Sequence, residues 1–220
     1  MNEEWMNMIW LGCCFLALFG VSELLYHKFK VHVEVTRKIS HVGTGILTLA
    51  FPLFLQNQWS VFLLCFSFLL ILIFSLKFNF LPSINAIDRA SYGSLLYPVA
   101  VYLSFLVYQY VGHQSVFFYL PVLTLAICDP IAAFIGKKRP LGRYRNGLKT
   151  LVGSFAFFLS AFILAYALLI MLVDAMDYFL AFRFAFALSL VATIMEAISS
   201  RGFDNLTIPL GVGTTLLLIL

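Results

Sequence analysis

The sequence predicts an all-α, polytopic integral membrane protein, a helical bundle of about eight (seven or eight) transmembrane helices. Two properties of the composition indicate a membrane protein. Hydrophobic residues make up 62% of the 220 and charged residues only 11%, whereas a soluble domain carries about 25% charged residues. The mean hydropathy is +0.98. The third observation is that apolar runs recur along the whole chain with short polar gaps between them. We therefore expect residues 1–220 to form a single transmembrane domain, with no room for a separate soluble domain.

The predicted spans follow the apolar runs in chain order, and a spanning helix needs about 20 apolar residues. They cover residues 5–26, 39–55, 59–76, 95–111, 116–135, 151–173, 178–198 and 206–220. The first run follows Glu3 and Glu4 rather than a basic segment, and no small-residue cleavage site comes after it. We therefore expect it to remain as a span and not to be removed as a signal peptide.

The distribution of positive charge predicts the topology. Thirteen of the fourteen Lys and Arg residues lie in alternate gaps, within residues 28–38, 77–89, 137–149 and at 201, and Arg183 is the exception. The other gaps, 56–58, 112–114 and 174–177, contain neither. Because an excess of Lys and Arg in short loops marks the cytoplasmic side, the N-terminus is expected outside and the basic face inside. In a bacterium this would be the inner membrane. The net charge of +4 suits anionic lipid or nucleotide phosphate, and nothing here indicates nucleic acid.

A polar stripe precedes the second predicted span. Glu34, Arg37, Lys38 and His41 are spaced at 0, 3, 4 and 7, which places them on one face of a helix. A juxtamembrane helix with surface ion pairs would account for the first three. His41, however, enters the membrane with Gly43-Thr44-Gly45, where small residues permit close helix approach and a polar residue indicates a site.

Asp129 lies inside the fifth apolar run and is followed by Pro130. Since proline lacks an N–H and disfavours helical geometry in the residue before it, we expect a helix break at Asp129. The carboxylate could simply cap the next helical stretch, residues 131–135. An ionisable group this deep costs a few kcal/mol unless it is paired or bound to metal, which favours a metal site.

The longest basic segment, residues 136–150, has the chemistry of a phosphate site. It contains six cations and three glycines, and a helix is expected to start at Thr150, with Gly153 and Ser154 in its first turns. Helix N-termini attract anions, Lys149 adds a point charge, and arginine offers a planar fork to phosphate oxygens. The spacing is not that of a Walker A loop. The alternative is a polybasic loop resting on anionic lipid.

A second acidic group lies at the end of the seventh predicted span. Glu196 is followed by Asp204 and Asn205. Pairing of Glu196 with Arg201 or Arg89 and capping of a helix by Asn205 are the structural alternatives. Asp129, Glu196 and Asp204 are nevertheless candidate oxygen ligands for a metal ion.

Taken together, these stretches resemble the membrane family of CTP-dependent lipid-alcohol kinases, of the phytol, farnesol, dolichol and diacylglycerol kinase type. The resemblance rests on four motifs: Glu34-x-x-Arg37-Lys38-x-x-His41; Arg89-x-Ser-Tyr-Gly93 with Tyr97-Pro98; Asp129-Pro-x-Ala-Ala-x-x-Gly136 leading to Lys149-Thr150-x-x-Gly153-Ser154; and Glu196 with Asp204-Asn205-x-x-Ile-Pro209. It implies an all-helical fold related to the CDP-diacylglycerol synthases, use of CTP with Mg²⁺, and a substrate with a long apolar tail and a terminal hydroxyl. The late His-Gly-Gly and Asp-Arg-x-Asp signature of the synthases is absent, which favours phosphoryl over cytidylyl transfer.

On this basis we expect phosphoryl transfer from CTP to a polyprenol-like or phytol-like isoprenoid alcohol, or to diacylglycerol, at the cytoplasmic face. Glu34 or His41 would accept the hydroxyl proton. Asp129, Glu196 and Asp204 would hold Mg²⁺, and Lys149 would act on the phosphates. The expected substrate-binding and nucleotide-binding residues are Arg37, Lys38, Arg89, Gly136, Arg143, Thr150, Gly153, Ser154 and Asn205. A phosphatidate cytidylyltransferase, a small-solute transporter and a structural membrane protein are the alternatives. The oligomeric state, including a homo-oligomer, stays open.

Overall fold

The computed structural model describes residues 2–87, 91–145 and 149–220, and most of these are helical. In chain order the α-helices are α1 (Asn2–His27), α2 (Val33–Thr48), α3 (Phe51–Phe54), α4 (Gln58–Phe78), α5 (Pro82–Asn85), α6 (Gly93–Tyr110), α7 (Val116–Leu123), α8 (Asp129–Lys138), α9 (Leu151–Leu172), α10 (Tyr178–Ile198) and α11 (Asp204–Ile219). A π-helical segment, Thr124–Cys128, joins α7 to α8. Two short antiparallel strands, β1 (Arg143–Tyr144) and β2 (Lys149–Thr150), pair ahead of α9. The predicted all-α membrane bundle is confirmed.

Within the described residues, five helical stretches are long and apolar enough to cross a membrane by length and composition. They are Glu3–His27, Gln58–Phe78, Val116–Lys138, Leu151–Leu172 and Tyr178–Ile198. The other three predicted spans correspond to α2, α6 and α11, which have 16, 18 and 16 residues. Their lengths of about 24 to 27 Å fall short of a hydrocarbon core of about 30 Å. The count of seven or eight spans and the outside N-terminus therefore stay predictions.

Helices of the bundle pack against one another at small residues. Helix α9 packs between α8 and α10, and α11 packs against α10 and α6. Ala161 and Ala165 on α9 and Ala181, Ala185 and Ala192 on α10 are each at most 2% exposed. Because lipid provides little hydrophobic drive for helix association, close backbone approach at small residues is a main source of packing energy. This contact brings the N-terminus of α9 beside the C-terminus of α10.

The expected helix break at Asp129 is wrong. The helical path continues from α7 to α8, and Asp129 itself has helical dihedrals, φ −64° and ψ −48°. The missing N–H of Pro130 is accommodated instead by the π-helical segment immediately before it, a feature that often occurs at functional sites. Asp129 consequently does not act as the N-cap of α8, a position taken by Cys128 without a side-chain cap.

The predicted helix start at Thr150 is confirmed. Thr150 is the N-cap of α9, and its hydroxyl accepts a hydrogen bond from the Gly153 N–H. The preceding strand β2 is paired with β1, which fixes the direction in which the chain enters the helix. Lys149 is thereby held immediately before the first turn of α9.

Candidate functional site

Lys149 forms a buried ion pair with Glu196 at the junction of α9 and α10. Its Nζ lies 2.6 Å from Glu196 Oε1 and also donates to the Glu196 backbone carbonyl. The second carboxylate oxygen, Oε2, accepts a hydrogen bond of 3.1 Å from the Ser154 hydroxyl, which in turn lies 2.5 Å from the Tyr144 hydroxyl. Both Glu196 oxygens are therefore engaged, and the Lys149 ammonium group is held in a defined position.

Two further carboxylates lie close to Lys149. Asp204, in the first turn of α11, has Oδ2 3.9 Å from the Lys149 Nζ. Asp129 is half-buried and interacts electrostatically with Asp204, Lys149 and Glu196. Residues that are 75 positions apart in the chain thus converge at one end of the bundle. We call Asp129, Lys149, Glu196 and Asp204 the acidic cluster.

The polar stripe on α2 lies next to the acidic cluster. Arg37 Nη2 donates to Glu34 Oε2 at 3.2 Å, and Arg37 interacts electrostatically with Asp129. The Arg37 Nε is buried and makes no hydrogen bond within the described part of the chain. The Nε itself has almost no accessible surface, but the Arg37 side chain is 26% exposed and lines the cavity, so the charge of the guanidinium group can act on an anion between the stripe and the cluster.

Lys38 precedes the second predicted span. Burial lowers the pKa of its ammonium group, and the nearby carboxylates of Asp129 and Glu34 partly oppose that shift. Lys38 therefore interacts electrostatically with Asp129, as Arg37 does.

His41 is fixed by the π-helical segment. Its Nε2 lies 3.1 Å from the Leu125 carbonyl oxygen, and since a carbonyl only accepts, Nε2 carries the proton and Nδ1 is the basic nitrogen. The imidazole also packs edge-on against the Tyr97 ring, with centroids 5.0 Å apart. Close contact of α2 with the π-helical segment requires Gly45, where a Cβ would lie 2.2 Å from the Ala126 Cβ. The close approach expected around Gly43-Thr44-Gly45 is therefore found.

Three of the residues expected at the nucleotide pack α8 onto α9. A Cβ at Gly136 would lie 2.7 Å from the Thr150 hydroxyl and 3.2 Å from the Gly153 Cα. Thr150 is 8% exposed and its hydroxyl is used by the helix cap. These residues set the distance between Asp129 on α8 and Lys149 ahead of α9, and their nucleotide contacts stay predictions.

The remaining expected residues are more dispersed. Arg143 is exposed on β1, and Arg145 donates to the Ile198 carbonyl. Arg89 lies outside the described residues. Asn205 is not the N-cap of α11, since Phe203 takes that place; its side-chain amide instead donates to the Gly93 carbonyl at 2.7 Å. This bond ties the start of α11 to the start of α6.

The predicted metal ligands do not form a ready three-ligand site. Within residues 2–87, 91–145 and 149–220, no three His, Cys, Asp or Glu side chains are grouped so as to hold a metal ion. The oxygens of Glu196 are directed to Lys149 and Ser154. Within the described contacts, the carboxylates of Asp129 and Asp204 accept no hydrogen bond from a hydroxyl or ammonium group. A metal site made of these two carboxylates therefore fits better than one that also includes Glu196.

A cavity of about 480 Å³ opens beside these residues between α1, α2, α4 and α6. Its polar end is lined by Arg37, Ser40, His41, Asn85, Ser94 and Asn205, and its apolar body by Phe15, Phe19, Phe51, Leu64, Cys65, Phe68, Leu72 and Val101. Sequence reasoning missed this cavity, because cavity-lining and lipid-facing positions are both apolar. It also missed Tyr144, whose contact with Ser154 no spacing rule indicates.

Comparison with known proteins gives one informative relative. No protein-family model matches the chain, and no solved structure matches it. The chain is similar to phytol kinase from Synechocystis sp., with 27% identity over 207 residues, an alignment that covers 89% of this chain and 83% of that protein.

Proposed function

We propose that the chain is a membrane lipid-alcohol kinase that transfers the γ-phosphoryl group of CTP to the hydroxyl of a lipid alcohol. The similarity to a phytol kinase over most of both chains supports kinase chemistry on a lipid alcohol. The observation that supports the proposal is that Arg37 and His41 line the polar end of an apolar cavity and interact electrostatically with Asp129 and Asp204 of the acidic cluster. A water-soluble triphosphate and a lipid hydroxyl would meet at this polar end.

The reaction needs one bond formed and one broken. The alcohol oxygen attacks the γ-phosphorus, the bond from that phosphorus to the oxygen bridging the β- and γ-phosphates breaks, and CDP leaves. The hydroxyl proton passes to a base. Catalysis of this step depends on positioning and on neutralising the triphosphate charge rather than on covalent chemistry by the protein.

Lys149 and Arg37 are the cations best placed for the phosphates. Glu196 holds the Lys149 ammonium group, which acts as a point charge, and the Arg37 guanidinium group lines the cavity and offers a planar fork to phosphate oxygens. The N-terminus of α9 lies beside Lys149, and its dipole adds a favourable field for anions.

Asp129 and Asp204 are the residues we assign to Mg²⁺. Magnesium is usually held by one or two carboxylates together with substrate phosphates and water. Bound there, the ion would neutralise charge on the β- and γ-phosphates. Glu196, whose oxygens accept from Lys149 and Ser154, becomes a positioning residue for Lys149.

His41 is the better candidate for the base that takes the hydroxyl proton. It lines the cavity, whereas Glu34 does not. The bond from its Nε2 to the Leu125 carbonyl leaves Nδ1 as the nitrogen that can accept a proton. A histidine is suited to this because its ordinary pKa lies near neutrality.

The cytoplasmic side is the expected location of the reaction. The Lys and Arg residues that line the acidic cluster and the loop before α9 belong to the basic face, which the positive-inside rule places in the cytoplasm. CTP would reach the site from there, and the alcohol would reach it from the bilayer.

Asp129→Asn tests the proposal directly. The variant keeps the shape of the side chain and removes the charge that would hold Mg²⁺. Purified wild-type protein in detergent, given CTP, Mg²⁺ and an isoprenoid alcohol, should form lipid phosphate and CDP, and the variant should lose this activity about 100-fold or more. Asp174→Asn, at an exposed turn distant in sequence from the site, is the matched control and should keep it.

The products also separate the alternatives. Undiminished turnover by Asp129→Asn would refute the metal assignment. Release of pyrophosphate with cytidine retained on the lipid would refute phosphoryl transfer and indicate a cytidylyltransferase. A parallel assay with ATP, GTP and UTP determines whether CTP is the preferred donor.

A further inference from the structure

The strands β1 and β2 bring two side chains to the same carboxylate. Tyr144 and Lys149 are directly opposite each other in the antiparallel pair, and residues opposite each other in such a pair lie on one face of it. The Lys149 Nζ lies 2.6 Å from Glu196 Oε1. The Tyr144 hydroxyl lies 2.5 Å from the Ser154 hydroxyl, which donates to Glu196 Oε2. Each oxygen of Glu196 is therefore held by one member of the cross-strand pair, either directly or through one hydroxyl.

The hydrogen bonds to Glu196 run in one direction. Because an ionised carboxylate only accepts, the Ser154 hydroxyl uses its single proton to donate to Oε2 at 3.1 Å. Ser154 has no second proton, so in the contact with Tyr144 it is the Tyr144 hydroxyl that donates. Consecutive hydrogen bonds of the same direction polarise and strengthen one another. The hydrogen-bonded chain from Tyr144 through Ser154 to Glu196 is thus satisfied at every atom.

Ser154 is directed away from its own helix. A serine within a helix commonly donates to a carbonyl of the preceding turn, and Ser67, Ser104 and Ser160 all donate to the carbonyl four residues earlier. Ser154 donates across to α10 instead. The Tyr144 hydroxyl accounts for this difference, because it occupies a lone pair of Ser154 and leaves the proton directed at Glu196.

The strand that carries Tyr144 is attached to both helices. The Leu151 N–H, at the first residue of α9, donates to the Gly142 carbonyl at 3.1 Å. The Arg145 side chain donates to the Ile198 carbonyl at the end of α10. These bonds flank Tyr144 on either side and do not involve its hydroxyl. Removing that hydroxyl alone therefore leaves the strand in place.

We propose that Tyr144 is a positioning residue for Lys149. Its hydroxyl holds Ser154 on Glu196 Oε2, and this keeps the carboxylate turned with Oε1 toward the Lys149 ammonium group. Tyr144 acts through Lys149 and not by contact with the nucleotide. This inference rests on the proposed kinase function and adds to it a residue outside the four sequence motifs.

Tyr144→Phe tests the inference, because it removes the hydroxyl and keeps the ring. In this variant kcat/KM for CTP should fall about 3- to 10-fold, the range for loss of one hydrogen bond. The KM for the lipid alcohol should not change, since neither Tyr144 nor Ser154 lines the cavity. Tyr110→Phe, at a tyrosine that is 87% exposed, is the matched control and should stay within about twofold of the wild type.

A double-mutant cycle shows whether Tyr144 acts through the hydrogen-bonded chain. In a Ser154→Ala background Tyr144→Phe has no bond left to remove, so it should change kcat/KM for CTP by less than about twofold. The same loss in both backgrounds would mean that Tyr144 acts independently of Ser154. That result would overturn the positioning role.

Chemical labelling of Lys149 separates this inference from the proposed function, because it requires no nucleotide. The Lys149 side chain is 13% exposed and its ammonium group is paired, whereas Lys137 and Lys138 are exposed. The labelling rate of Lys149 by an amine-reactive reagent, measured by mass spectrometry relative to these two lysines, should rise about threefold or more in Tyr144→Phe and not in Tyr110→Phe.

The two measurements together decide between the outcomes. Raised labelling of Lys149 in Tyr144→Phe, with no phosphorylation by the wild type, would support the hold of Tyr144 on Lys149 and refute the kinase. Phosphorylation by the wild type, with labelling and kcat/KM for CTP both unchanged in Tyr144→Phe, would support the kinase and overturn the inference. A change in only one of the two quantities in an active kinase would also overturn it, since Lys149 would then not connect Tyr144 to the reaction.

Discussion

The ion pair between Lys149 and Glu196 allows a quantitative test of how the site is held together. The two side chains are 13% and 8% exposed, and their charged atoms are 2.6 Å apart. Glu196→Gln preserves the size of the side chain and removes its charge. A hydrogen bond to a charged group contributes about 1.5–3 kcal/mol and a neutral one about 0.5–1.5 kcal/mol, so the variant should lose about 1–2 kcal/mol of the interaction that positions Lys149.

This loss translates into a defined kinetic effect if the proposed function holds. At 1.36 kcal/mol per tenfold, kcat/KM for CTP should fall about 5- to 30-fold in Glu196→Gln. The KM for the lipid alcohol should not change, because Glu196 does not line the cavity. A general loss of structure would alter both parameters.

A double-mutant cycle isolates the coupling between the two residues. In a Lys149→Met background the charge of Glu196 has no ammonium group to position, so adding Glu196→Gln should change kcat/KM for CTP by less than about twofold. If Glu196→Gln costs the same factor in both backgrounds, Glu196 acts independently of Lys149. That result would refute the positioning role and return Glu196 to the metal ligands.

Two further substitutions test the contacts of α2. Tyr97→Phe removes a hydroxyl that is buried without a hydrogen-bond partner in the described residues, and because an unpaired buried polar group is costly, the thermal unfolding temperature in detergent should not fall; a fall would show that the contact of this hydroxyl with the Thr44 side chain stabilises the protein. Gly45→Ala would force a Cβ to within 2.2 Å of the Ala126 Cβ and should destabilise the protein by about 1–3 kcal/mol, seen as a lower thermal unfolding temperature in detergent. Gly20→Ala, where no atom lies within 4 Å of the added Cβ, should not lower it, and an equal loss in both variants would show that the packing at Gly45 is unimportant.

Much of the fold could be predicted because a bilayer imposes simple rules. Backbone polar groups in hydrocarbon must be paired internally, so each long apolar run has to be helical, and the all-α bundle follows. Local rules also predicted the start of α9, because Thr150 can cap a helix with its own hydroxyl. They failed at Asp129, where the effect of Pro130 was predicted as a break. In the structure the helix is continuous through Asp129, and Gly45 and His41 contact the π-helical segment that precedes it.

The sequence by itself determined which residues could carry charge chemistry and that most of them lie at one end of the bundle, since charge is expensive in the bilayer and collects at its surfaces. Only the tertiary structure decided which of them are partners. The contact of Lys149 with Glu196 spans 47 residues and depends on how α9 and α10 pack. The cavity was likewise decided by packing. Leu63 and Leu64 are the same residue type at adjacent positions, and only one of them lines the cavity. In a membrane the lipid-facing side of a helix is as apolar as the side that faces the protein interior. Hydrophobic periodicity therefore cannot predict which side lines a cavity.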